Sequence, residues 1–130
     1  MALNRVSLGF PVAVSAATTS TVYTNPSSTK SFVRCIIVHN ASIDTTTTTD
    51  MQMQIYVVAA AGGSVGTAAA ADRIARVNLA ANDTFFFEPQ YPITLTSAND
   101  SIQVYNEGTN NSGASSNNIN VMVLGDTIST

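Results

Sequence analysis

The chain has 130 residues, with apolar residues at 45 % and charged residues at only 10 %, and a formal net charge of −3. That length fits one domain with a core that needs no disulfide or metal staple, and Cys35 is the only cysteine, which excludes an internal disulfide. The five cations Arg5, Lys30, Arg34, Arg73 and Arg76 are scattered, so the clustered charge that releases counterions from a phosphate backbone is missing and nucleic acid is not an expected partner.

The start, MALNRVSLGFPVAVSA, has one cation and a short apolar stretch. Gly9 and Pro11 interrupt that stretch, so it is expected to form the first strand around Val12 and Val14 rather than a signal peptide. No apolar run reaches the eighteen or so residues needed to cross a bilayer as a helix, and no membrane partner is expected. A short β-rich segment follows at 20–24 (STVYT), then the longer SFVRCIIVHN at 31–40. Even alternation there puts Phe32, Arg34, Ile36 and Val38 on one face and Val33, Cys35, Ile37 and His39 on the other. Both faces are largely apolar, which predicts a central strand with Cys35 a buried, inert thiol. The threonine run Thr45–Thr49 predicts a solvated tip. In DMQMQIYVV, Met51, Met53, Ile55 and Val57 share one face and Gln52, Gln54 and Tyr56 the other, the period of a half-buried strand.

The next stretch, AAAGGSVGTAAAADR, raises the question of a nucleotide loop, because it is one residue from a dinucleotide-binding glycine fingerprint and Asp83 follows at about the distance of a ribose-binding acid. Such a fold needs parallel, continuously apolar strands joined by helices. Here the leading strand carries two glutamines, and Ala68–Ala71 is long enough for one helical turn only. The stretch is therefore expected to be a Gly/Ala hairpin loop. Beyond it, β-branched and aromatic clusters predict strands at 73–79, 84–88, 93–96 and 101–105. The polar tract 106–118 is expected to be a loop. The closing segment NINVMVLG sets Ile119, Val121 and Val123 against Asn120, Met122 and Leu124. Together these predict an all-β fold: a single antiparallel, jelly-roll-like sandwich of about eight short strands with no substantial helix. Residues 1–19 would be an arm with the first strand, and 20–130 the sandwich.

Little in the chain suggests chemistry. His39 is the only histidine, and no nucleophile-elbow motif offers it a serine. One His and one Cys cannot make a zinc cluster, and the aspartates fall mostly at turns, where a carboxylate accepts nearby backbone amides. No enzyme activity, cofactor or metal is expected. Phe85-Phe86-Phe87 stands out, because consecutive strand residues point to opposite faces and at least one ring must leave the core. The expected contact for a subunit or other partner is Phe85 or Phe87 together with Gly62, Gly63 and Val65 of the 60–71 loop.

The order VYTNPSSTKSFVRCIIVHNAS, IYVV, RIARVNLAANDTFFFE, LTSANDSIQVYN, INVMVLG resembles that of small β-sandwich structural proteins of tailed-phage virions, over about residues 20–125. Their pattern runs Val-Tyr-Thr-x-Pro, then Val-Arg-x-Ile-x-Val-x-Asn, then an acidic turn leading to Ser-Ile-Gln-Val, then a valine-rich closing strand. A turn that is Pro-Ala-Gly-Lys in such proteins stands here as Pro26-Ser27-Ser28-Thr29-Lys30, without its glycine. The resemblance implies a non-enzymatic capsid decoration, or cement, protein on the exterior of the virion, made in the host cytoplasm. It would bind the major capsid protein and itself, as a trimer or dimer. The alternatives are a tail- or fibre-associated protein that contacts the host surface and a secreted carbohydrate-binding module.

Overall fold

The structure is a computed structural model and describes residues 4–41, 50–109 and 118–130. The Thr45–Thr49 tip and most of the 106–118 tract lie outside these residues. Ten strands are described: β1 (Asn4–Ser7), β2 (Val12–Val14), β3 (Thr18–Thr24), β4 (Thr29–Asn40), β5 (Met51–Val58), β6 (Arg73–Leu79), β7 (Thr84–Phe87), β8 (Ile93–Leu95), β9 (Ser101–Thr109) and β10 (Ile119–Ser129). One 3-10 turn at Ala70–Asp72 is the helical content among the described residues.

Every strand pairing is antiparallel. The first sheet runs β1-β10-β4-β7, with β2 also on β10 and β8 also on β4; the second runs β3-β9-β5-β6. β1 and β2 lie end to end along β10, and β7 and β8 lie end to end along β4. Each pair is therefore one interrupted edge strand. Counted that way, eight strand positions form the sheets 1-8-3-6 and 2-7-4-5, the arrangement of a jelly roll. β1 and β2 thus belong to the first sheet.

The core lies between the sheets. Val33, Ile36, Val38, Ile119, Val121 and Val123 face it from the first sheet, and Met51, Met53, Ile55, Ile102 and Val104 from the second. The two clearest alternations, 51–55 and 119–124, fall as their period requires, with Gln52, Gln54, Asn120, Met122 and Leu124 on the outer faces. β9 runs to Thr109, four residues past the expected end, because Asn106 turns inward and bonds the Val14 carbonyl at 2.9 Å.

β4 departs from even alternation. Its register with β10 slips, so that Leu124 faces Cys35 while Gly125 faces Val33, and Arg34 is the extra residue. This β-bulge flips the pattern: Val33 and Ile36 both enter the core, whereas Phe32, Cys35, Ile37 and His39 lie on the outer side. The bulge sends Arg34 out to pair with Asp126, whose side chain is buried. Gly125 makes the close approach of the two backbones sterically feasible, since a Cβ there would lie 2.1 Å from the Phe32 carbonyl oxygen.

The 59–72 stretch is the hairpin connection between the antiparallel strands β5 and β6. At its tip Ala61 and Ser64 exchange backbone bonds of 2.9 and 3.1 Å around Gly62 and Gly63, both at positive φ. That is the mirror-image two-residue turn suited to β-hairpins. Among the described residues no parallel strand or crossover helix accompanies it.

The turn lacking its glycine places Ser28 at φ +53, in the left-handed region that costs an L-residue free energy and glycine almost none. Replacing Ser28 by glycine is expected to stabilise the fold by about 0.5–1 kcal/mol, net of the extra freedom of the unfolded chain. Chemical denaturation checks this; an unchanged or lowered midpoint would contradict it.

Candidate functional site: two unlike sheet faces

The residues with chemical potential serve the fold. His39 Nδ1 lies 2.9 Å from Thr84 Oγ1 on the neighbouring strand. Asp100 accepts the amides of Ala60, Thr96 and Ser97 at 2.8–3.0 Å. Partial burial pushes its pKa up, but the three amides outweigh that and hold the carboxyl below the usual range. Asp72 accepts the Ala69 amide and Asp83 that of Thr84. Asp72 and Asp100 both line a cavity of about 230 Å³ with Val57, Val58, Thr94 and Leu95, and their amide bonds hold the loops around it. Among the described residues no group of three His, Cys, Asp or Glu side chains is placed to hold a metal, and no helix is long and apolar enough to cross a membrane.

The outer face of the second sheet is polar. Arg76 forks onto both oxygens of Glu107 at 2.9 Å and reaches Gln52 at 3.0 Å. Gln54 donates to Glu107 and accepts from Tyr56 and Arg73. The 59–72 connection lies against β9 on this face through the Gln103 side-chain bond to the Gly66 carbonyl at 2.8 Å, while Thr19 and Thr21 of β3 stay exposed. The Arg76 bond holds the Glu107 carboxyl below its ordinary value of 4.5, against partial desolvation. A depressed carboxyl contributes stability that is present above the unfolded-state value and is lost as pH falls through the folded one. Glu107→Gln should therefore lower stability modestly at neutral pH, because Arg76 is largely solvated. The gap from wild type should close as pH drops below about 4.5. A gap that persists unchanged in acid, in urea titrations at several pH values, would contradict this.

The outer face of the first sheet is different. The β10–β4–β7 registers align rows across it: Asn120, His39 and Thr84; then Met122, Ile37 and Phe86; then Leu124 and Cys35. The first row is polar and the others apolar. Phe86, the exposed ring of the triplet, is 58 % exposed. Phe85 and Phe87, singled out from the sequence as contact residues, instead pack against the core, because the β4–β7 register pairs them with the inward Val38 and Ile36. Gly62, Gly63 and Val65 are exposed. They belong to the loop of the second sheet, however, so the structure does not join them to the phenylalanines in one patch. Cys35 corrects another expectation: the bulge leaves it half-buried on the outer face. Burial there, and then the nearby Glu88 carboxylate, push its pKa up. Two further aromatics flank this sheet at its interrupted edges. Phe10, between β1 and β2, is 90 % exposed, and Tyr91, between β7 and β8, is 77 % exposed.

The sequence signal for this face was the double-sided apolarity of β4. What hid it was the bulge, which decides which of the two sides is inside. No protein-family model matches the chain, and neither the curated proteins nor the solved structures give a match.

Proposed function

We propose that this chain is a non-enzymatic structural protein of a tailed-phage virion, acting as a capsid decoration protein that binds and stabilises the shell of the major capsid protein from outside. The observation that carries the reading is the contrast between the two sheet faces. On the second sheet a hairpin loop packs against β9 and a polar ladder spans the outer surface of β5, β6 and β9. On the first, the in-register row Met122–Ile37–Phe86 has no such cover among the described residues. An apolar row at a sheet surface supports an assembly role. The low charge of the chain supports the reading as well, since repeated contacts then bury few ions, and each unpaired buried ion costs several kcal/mol. The exposed Gly62–Val65 tip, on the other sheet, remains the proposed contact with the shell.

The second reading, a tail- or fibre-associated protein touching host glycans, has one feature in its favour. Gln54, Arg76, Glu107 and Tyr56 form a broad array of donors and acceptors suited to sugar hydroxyls. Quantitative mass spectrometry of purified particles separates the two. Copies comparable in number to the major capsid protein are expected for decoration. A few copies per particle, with glycan-array binding by the isolated protein, would favour the second reading. Absence from washed particles would overturn both.

A further inference from the structure

We propose that the outer face of the first sheet is where two copies of this chain meet, face to face, about a two-fold axis parallel to β4 and passing close to Ile37. This deepens the assembly reading above and rests on it only in taking the face as an assembly surface. Solution mass and virion copy number are separate measurements, so either can fail alone.

Size comes first. β4 is twelve residues long and the sheet is four strand positions wide. An axis on β4 overlaps three of these positions, β10, β4 and β7 with β8, with their copies, and at about 3.4 Å per residue and 4.8 Å per strand they cover roughly 600 Å² per partner, the lower end of a stable interface. Its anatomy also fits. The apolar part, Phe32, Cys35, Ile37, Phe86, Met122 and Leu124, is bordered by polar and charged groups, with His39, Asn120 and Thr84 at one end, Lys30 and the Arg34–Asp126 pair at the other, and Glu88 beside Cys35. Charge at the rim and not at the centre is the usual pattern of an interface.

The rows choose the axis. A two-fold axis along the strands exchanges β10 with β7 and leaves each row facing its own copy. Met122 then lies over the partner's Phe86, a favourable sulfur–ring contact, Ile37 over its equivalent, and the Asn120–His39–Thr84 row over the same polar row. An axis along the rows would instead lay Leu124 and Cys35 over polar Asn120 and His39, and would stack the two Phe86 rings. An interface that presents the same patch from both subunits is the commonest closed symmetry of soluble oligomers.

This geometry has a sharp consequence at Cys35, the chain's only cysteine. The two Cys35 residues face each other across the roughly 10 Å between stacked sheets, too far for a disulfide but within reach of a bis-maleimide with a short ethylene spacer. The test uses the purified full chain at about 100 μM, above the micromolar-or-tighter range of interfaces this size, in sedimentation and cross-linking. The expected result is a dimer that the bis-maleimide converts to a covalent pair. Phe86→Ser should keep the wild-type thermal midpoint at high dilution, where both are monomers, while the dimer dissociation constant rises about thirtyfold or more, as when a central aromatic anchor is lost. A monomer at that concentration would overturn the proposal. So would a dimer that Phe86→Ser leaves intact, or a dimer that does not cross-link. A monomer whose Phe86→Ser variant fails to bind particles would assign the face to the shell protein instead, and equally overturn it.

Discussion

Replacing Gly125 by alanine is expected to cost about 3 kcal/mol or more and to leave the protein unfolded or barely folded at 37 °C. The reason is space. A Cβ at Gly125 would sit 2.1 Å from the Phe32 carbonyl oxygen, 3.0 Å from its carbon and 3.1 Å from the Val33 Cα. All three neighbours are backbone atoms of the bulge in β4, so no side chain can rotate away. Relief requires β10 and β4 to separate at the middle of the first sheet, where eleven residue pairs align them. Separation would also pull apart the Arg34–Asp126 pair and strand a buried carboxylate. Gly9→Ala is the control. The Cβ there meets only the Val22 carbonyl at 3.9 Å, and the change is expected to stay within about 0.5 kcal/mol. Denaturant titration of both variants decides the matter. A loss below about 1 kcal/mol for Gly125→Ala would show that the bulge is not the tight junction described.

Asn25→Ala is expected to cost about 3 kcal/mol by leaving buried groups without partners. Asn25 is 1 % exposed. Its amide nitrogen donates to the Thr29 and Ser97 carbonyls, each at 2.9 Å, and its oxygen accepts the Ser31 hydroxyl at 2.6 Å, which in turn lies 2.7 Å from the Tyr23 hydroxyl. One side chain thus ties the β3–β4 turn to the β8–β9 turn across the end of the sandwich. Asn25→Asp should be at least as damaging, because a carboxylate would face two carbonyl oxygens. Tyr23→Phe should cost only about 1 kcal/mol, since Ser31 keeps its bond to Asn25. Equal losses for Asn25→Ala and Tyr23→Phe would contradict this hierarchy.

Much of the sandwich was legible because its strands follow a period of two over a two-layer core. Met51, Met53 and Ile55 against Gln52 and Gln54 needed no further information, and neither did Ile119, Val121 and Val123. The hairpin at Gly62–Gly63 followed from the lack of a crossover helix. The outer face of the first sheet was only half legible. The sequence showed that one phenylalanine of the triplet must leave the core and that β4 is apolar on both sides. Choosing Phe86 over Phe85 and Phe87 depends on the register of β7 against β4. Choosing the outer side of β4 depends on a one-residue bulge whose partner glycine lies ninety-one positions away in the sequence. Long-range register of this kind is set by which pairing buries more apolar surface, and no local pattern carries it. The ladder around Glu107 was missed for the same reason: its members come from β5, β6 and β9.

If the proposal holds, the outer face of the first sheet is covered where the protein works, and alkylation of Cys35 reads that cover, because the thiol is native, single and half-buried on the face. Its rate should be compared in intact purified particles and in the same particles after dissociation and dilution. Slow labelling is expected in the particle and fast labelling of the diluted folded chain, with Phe86→Ser chains labelling fast even before dilution. Equal rates for wild type in the two states would mean that the face stays open in the assembly and would overturn the proposal.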